Sequence, residues 1–188
     1  MYLALLAYQS LMAVALSGLR FFLPAYLMTI RELTFTTSGT IFSIMSVATL
    51  IGFPLGGFLA SRFNRKALIV TIPIVFSVFY GLFLSIETHM AVWVTSLFIA
   101  RLASSTVHPI LVTALGDTPS IPLATAISML HAATAAISAF APLVMGAVAD
   151  YAGLNLAMMI LIIPAIIAVI LSVTLISSNF VHGNKLEE

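Results

Sequence analysis

Arg101, Ser104, Ser105 and His108 fall at i, i+3, i+4 and i+7, the spacing that sets side chains on one face of an α-helix. The stretch around them, "LFIARLASSTVHPILV", is otherwise almost entirely apolar. A guanidinium, two hydroxyls and an imidazole on one stripe can donate hydrogen bonds to an anion, and the imidazole can also carry a proton near neutral pH. Gln9 and Arg20 form a second polar pair, eleven residues and about three helical turns apart, so they share a face. His131 stands alone in "AISMLHAATAA". No Asp or Glu accompanies these groups, so a cavity built from them is positive. Planar, always-charged arginine suits carboxylate or phosphate.

Composition determines what elements must carry these residues. The 188 residues are 62% hydrophobic and 7% charged, where a water-facing surface ordinarily takes about a quarter charged residues. The chain reads as an all-α integral membrane protein. A span needs about 20 apolar residues, and reading charges and turn residues as punctuation gives six, at about 2–29, 37–61, 66–86, 90–115, 121–149 and 155–178. With no long linker, residues 1–188 form a single six-helix domain. The apolar run from Tyr2 is too long for a signal-peptide core and lacks a basic flank, so it reads as a retained helix. A net charge of +1 argues for no nucleic-acid partner, and zero cysteines exclude disulfides and thiolate metal sites. No cofactor or metal is expected.

Three of the seven Lys and Arg residues crowd into "GGFLASRFNRK", between the second and third spans. Short-loop cations favour the cytoplasm. Arg62, Arg65 and Lys66 therefore belong there, with Lys185 on the same side and Arg31 opposite, and both termini are cytoplasmic. Spans 3 and 6 carry no ionisable group in their apolar stretches, which suits a lipid-facing position, whereas spans 1, 4 and 5 carry the polar residues above. Gly52, Gly56 and Ala60 recur at four-residue spacing on span 2, and alanines stud span 5, so both can pack backbone to backbone.

Shifted by 89 positions, "GFLASRFN" (57–64) lies over "GAVADYAG" (146–153). Each stretch ends one apolar helix and starts another, through a position, Asn64 or Gly153, suited to left-handed backbone. Three spans separate the two turns, so they lie on opposite sides of the membrane: an inverted repeat of three helices plus three.

The first of these stretches resembles the loop between helices 2 and 3 of the major facilitator superfamily, roughly G-x-L-A-D-R-x-G-R-K. Gly57, Leu59, Ala60, Arg62, Arg65 and Lys66 match it, while Ser61 replaces the acid and Asn64 the glycine. "FFLPAYL", "LFIARLASS" and "APLVMGAVADYAG" are similar, in order and spacing, to further segments of that family. The resemblance covers nearly the whole chain and one six-helix half of a twelve-helix transporter. It implies that Gly57, Arg62, Arg65 and Lys66 form a conformational latch, with Asp117 as the acid an arginine pairs with, and that helices 1 and 4 line a central cavity. It leaves open a natural half-size protein, one partner of a split pair, or an excised half.

No enzyme motif competes: there is no G-x-S-x-G, no H-E-x-x-H and no Gly-rich phosphate loop. Ionisable groups inside a bilayer normally face a cavity or a partner. Arg20, Arg101, Gln9, Ser105 and His108 are accordingly the substrate-binding candidates, and His131 the proton-coupling candidate. Structural roles stand beside these: Arg20 snorkelling to headgroups, Arg101 bonded to helix ends, His131 as a buried hydrogen-bonded histidine. The expected function is a half-size secondary transporter of a small organic anion, working by alternating access as a dimer with a second copy or a split partner, in the inner membrane of a prokaryote. The alternatives are a proton-coupled exporter of apolar or cationic compounds, and a non-transporting six-helix fragment or assembly partner.

Overall fold

A computed structural model describes residues 2–116 and 122–183, with side chains for 3–116 and 122–174. The described residues form helices α1 (Tyr2–Thr29), α2 (Phe35–Arg62), α3 (Arg65–Ser85), α4 (Met90–Gly116), α5 (Leu123–Ala152), α6 (Leu154–Ile160) and α7 (Ile162–Gly183). Six stretches are long and apolar enough to cross a membrane, the sixth running through α6 and α7. In hydrocarbon every backbone polar group must be satisfied within the chain, which is why uninterrupted apolar runs of this length become helices.

The sixth span breaks at Leu161, which the apolar pattern alone does not reveal. Pro164 has no N–H for the carbonyl of Ile160 and its ring crowds that carbonyl, so the helix restarts one residue later. Two contacts seat the break. The Leu161 side chain fills the space that a Cβ on Gly18 of α1 would occupy, and the Tyr80 hydroxyl of α3 donates to the Met158 carbonyl at 2.8 Å. At the other end of α6, Gly153 takes φ +88°, ψ 155°, a conformation essentially confined to glycine. Asn64 differs from that expectation. Its φ is −63°, and it caps α3 instead, its Oδ1 accepting from the Lys66 N–H at 3.0 Å. α5 also continues past Asp150 to Ala152, since one acid at a helix end facing water does not terminate it.

α4 packs along α2 and α3, and α1 packs along α5, α6 and α7; α3 and α7 meet each other. Close approach of α2 to α4 depends on glycine. A Cβ on Gly52 would lie 2.8 Å from the Leu102 carbonyl, and one on Gly56 would lie 2.7 Å from the Thr106 carbonyl, both distances no side chain tolerates. Ala48, Gly52, Gly56 and Ala60 are all buried along this seam. Gly57, the glycine that matches the loop motif, has open space around it.

Arg31, on the α1–α2 turn, is held by side chains distant in sequence. Its guanidinium carbon lies 5.8, 5.7 and 5.3 Å from the ring centroids of Tyr26, Phe83 and Trp93, and Nη2 donates to the Phe83 carbonyl at 2.7 Å. Phe83 lies in the last turn of α3, so Arg31 sits at the negative end of that helix dipole. The arginine thereby ties the α1–α2 turn to the α3–α4 end of the bundle.

Candidate functional site

Four helices line an open cavity of about 590 Å³. α1 contributes Gln9, Ser17, Arg20 and Phe21; α2 contributes Thr49 and Phe53; α4 contributes Arg101, Ser104, Ser105 and His108; α5 contributes His131, Thr134 and Ser138. Among the described residues, α3, α6 and α7 contribute nothing to its lining. The periodicity of each helix explains the grouping: 101, 104, 105 and 108 on α4 share a face, as do 131, 134 and 138 on α5. No Asp or Glu lines the cavity among the described residues.

Arg101 is the best-anchored cation in the cavity. Its Nε donates to Thr49 Oγ1 at 3.0 Å, and that hydroxyl donates in turn to the Met45 carbonyl at 3.1 Å. One side of the guanidinium is thus fixed by a neutral hydroxyl. Among the described residues its terminal nitrogens have no protein acceptor, and the side chain lines the cavity. Arg20 lines the same cavity from α1 and is exposed to it. Ser104 and Ser105 donate back to the Arg101 and Leu102 carbonyls at 2.9 and 2.8 Å, so their oxygens retain lone pairs but their protons are engaged. Gln9 is buried, with Oε1 unpartnered.

The two histidines meet. The rings of His108 and His131 have centroids 4.8 Å apart and a 49° interplanar angle, and Phe53 stands edge-on to His108 at 6.4 Å. Neither the pairing nor the role of Thr49 is visible in the sequence. Thr49 is one threonine on a helix otherwise read as packing, and its only signal is that it sits one turn from Met45 and Phe53 on the face beside the glycine seam. The residues Gln9, Arg20, Arg101, Ser105, His108 and His131 all reach the one cavity.

The cationic turn after α2 is separate from this site. Arg65 donates through Nη1 to the Thr113 carbonyl, near the end of α4, at 3.2 Å, and through Nε to the Ala60 carbonyl at 3.5 Å. Arg62 lies over the Phe58 ring at 5.5 Å, and Lys66 is exposed. Asp117, the acid expected to pair with an arginine, lies outside the described residues, as does Lys185.

Six membrane-crossing stretches, four of which line a cavity bearing Arg20 and Arg101, define the class: an all-helical integral membrane protein. The sequence profile of the Major Facilitator Superfamily matches residues 5–185, and the chain belongs to that family. A search of curated protein sequences returned no match. Solved structures similar to it include the POT family transporter PepTSo, with a TM-score of 0.78 and 20% identity, over 91% of this chain and 36% of that one. A peptide transporter POT in complex with sulfate gives 0.80 and 18%, over 92% and 37%. A proton dependent oligopeptide (POT) family transporter gives 0.74 and 22%, over 91% and 40%. These likenesses establish the fold. The chain spans well under half the length of the transporters it matches. Family membership and the six apolar spans give the chain a lipid bilayer as its surroundings.

Proposed function

We propose that the chain is a half-size transporter of the family that moves a small organic anion by alternating access, with a second six-helix unit, a copy of itself or a split partner, supplying the opposite cavity wall. The observation that carries this reading is the lining of the 590 Å³ cavity, which presents Arg20 and Arg101 and no carboxylate among the described residues. Arg101 is the primary contact: Thr49 orients it, and its free nitrogens can make the paired donation that carboxylate and phosphate accept. Arg20 is the secondary contact, with Gln9, Ser105 and His108 completing the wall. A cation-lined face left in lipid would be costly, which favours a partner across it.

The 3+3 inverted repeat is part of this reading. It is supported by the packing, in which α4 takes α2 and α3 as neighbours while α1 takes α5 and the α6–α7 pair. The single six-helix domain, the cytoplasmic termini and the prokaryotic inner membrane belong to the same proposal. So does the latch of Gly57, Arg62, Arg65, Lys66 and Asp117, for which the Arg65 bond to the end of α4 is the supporting contact. A second reading, a proton-coupled exporter of apolar or cationic compounds, draws on the His108–His131 contact in the same cavity. In it His131 handles the proton and Arg101 touches no substrate.

Purified protein in mild detergent separates the readings. Native mass spectrometry should show a dimer, and organic anions rather than lipophilic cations should raise the melting temperature. Arg101→Lys should lose most of the anion effect and Arg20→Gln part of it. Anions that fail to stabilise the wild type, or stabilise both variants equally, overturn the anion reading in favour of the exporter. A monomer that transports nothing in liposomes overturns both.

A further inference from the structure

A second chamber, of about 240 Å³, adjoins the first. Arg20, Thr49 and Arg101 line both, so these three side chains form the partition between them. Beyond the partition, the larger side mixes Gln9, His108 and His131 with Leu16, Phe21 and Phe53. On the smaller side stand Leu19, Leu23, Phe42, Met45 and Leu97, with Ser46 the one polar residue beyond the partition. Leu19, Leu23, Met45 and Leu97 are at most 3% exposed and belong to the main core, so the apolar walls are held rigidly.

An anionic group on the partition therefore has a mixed wall on one side and, on the other, side chains that are apolar but for Ser46. A cavity of roughly 150 Å³ lined by aliphatic and aromatic side chains can take a benzene ring. A chamber of 240 Å³ has room for an aryl or branched alkyl group joined to the anion by one or two bonds. We propose that the smaller chamber is a specificity pocket, and that the substrate class is a small carboxylate or phosphate carrying such an apolar group. The proposal rests on the anion reading above and narrows it. Arg101 holds the charge, Thr49 sets its plane, and the Leu19–Met45–Leu97 wall selects the group behind it.

The test uses the full chain in detergent, titrated with acetate, phenylacetate, cyclohexylacetate and the neutral phenylacetamide. Burying a ring beside the arginines should make phenylacetate and cyclohexylacetate bind at least about tenfold more tightly than acetate. Phenylacetamide should bind at least about tenfold more weakly than phenylacetate. Ser46 is exposed on the chamber side of α2 and bonds to the Phe42 carbonyl of its own helix, so Ser46→Leu and Ser46→Trp fill the chamber, partly and more fully, without removing a bond to either arginine. Both should erode the preference for ring-bearing anions, Trp more than Leu, while acetate affinity stays unchanged. Equal binding of acetate and phenylacetate by the wild type, or equal loss of both in the Ser46 variants, overturns the pocket while leaving the anion reading intact. Failure of all three anions to bind overturns the anion reading and the pocket with it.

Discussion

Gly56 and Gly57 are neighbours on one helix, and the structure assigns them opposite tolerances. A Cβ on Gly56 would sit 2.5 Å from Pro109 Cγ and 2.7 Å from the Thr106 carbonyl oxygen. Neither can yield, one being a closed ring and the other backbone within a helix. A Cβ on Gly57 meets nothing within 4 Å. Replacing either glycine by alanine removes the same backbone freedom, a gain of about 0.5–1 kcal/mol in a helix. That term cancels between the two variants. What remains is the overpacking at Gly56, about 1–3 kcal/mol, so Gly56→Ala should be less stable than Gly57→Ala by that amount. Trp93 is the one tryptophan and is buried on α4, the helix that would be displaced, so its fluorescence during denaturation in mixed micelles reports the seam directly. Equal stability of the two variants would refute the seating of α2 on α4. A loss at Gly57 matching that at Gly56 would refute it too, by placing a neighbour where the structure has none.

The Arg31 clasp should be worth about 2–4 kcal/mol, from one charge-assisted bond and the aromatic faces around it. Arg31→Ala should show that loss in the same unfolding assay, and a neutral result would mean the enclosure is incidental. Tyr80→Phe removes the donor to the Met158 carbonyl at the break in the sixth span and should cost about 0.5–1.5 kcal/mol; hydrogen exchange should rise locally around Met158 and Leu161, and an unchanged pattern counts against the anchoring role. Because the chain has no cysteine, Asn64→Cys and Tyr151→Cys can be labelled from either side of sealed vesicles. Both positions are exposed, and labelling from opposite faces is expected; labelling from one face would end the inverted-repeat reading.

The fold was legible because hydrocarbon leaves the backbone few choices. Apolar runs punctuated by "RE", "SRFNRK" and "ETH" mark helix ends, and the four-residue recurrence of Gly52, Gly56 and Ala60 marks a seam. The break at Leu161 was not legible, since every span here carries a proline and a proline in a membrane helix bends some and breaks others. At the cavity, the expense of an ionisable group at membrane depth flags Arg101, His108 and His131 one at a time. Which groups meet depends on how α4 and α5 cross, information distributed over the whole packing pattern. Thr49 carries no such expense, because a threonine can satisfy itself on its own helix, so nothing in the sequence distinguishes it from Thr40 or Thr71, which do just that. Arg31 runs the other way. An arginine alone on the turn opposite the expected cationic side looks anomalous until Tyr26, Phe83 and Trp93 are brought around it.

Arg101 should act as a binding residue held at some cost, and that has a measurable sign. A cation at membrane depth costs about 2.5–3.5 kcal/mol where its charge is uncompensated. The bond from Nε to Thr49 recovers about 1.5–3 kcal/mol, as hydrogen bonds from charged groups do. Arg101→Met keeps an unbranched apolar stem, removes the charge and gives up the bond. The balance then runs from a loss of about 0.5 to a gain of about 2 kcal/mol in the ligand-free protein. An arginine whose charge is compensated by its surroundings predicts a clear loss, of about 1.5–3 kcal/mol, because nothing then offsets the bond to Thr49. Ligand separates the cases further. An anion at 100 times its dissociation constant stabilises the wild type by about 2.7 kcal/mol, and this increment should vanish in Arg101→Met. A variant as stable as the wild type without anion, and unresponsive to anion, is the expected pair of results. A variant destabilised by more than about 2 kcal/mol, yet still stabilised by anion, would make Arg101 a structural strut and move the binding site elsewhere in the cavity.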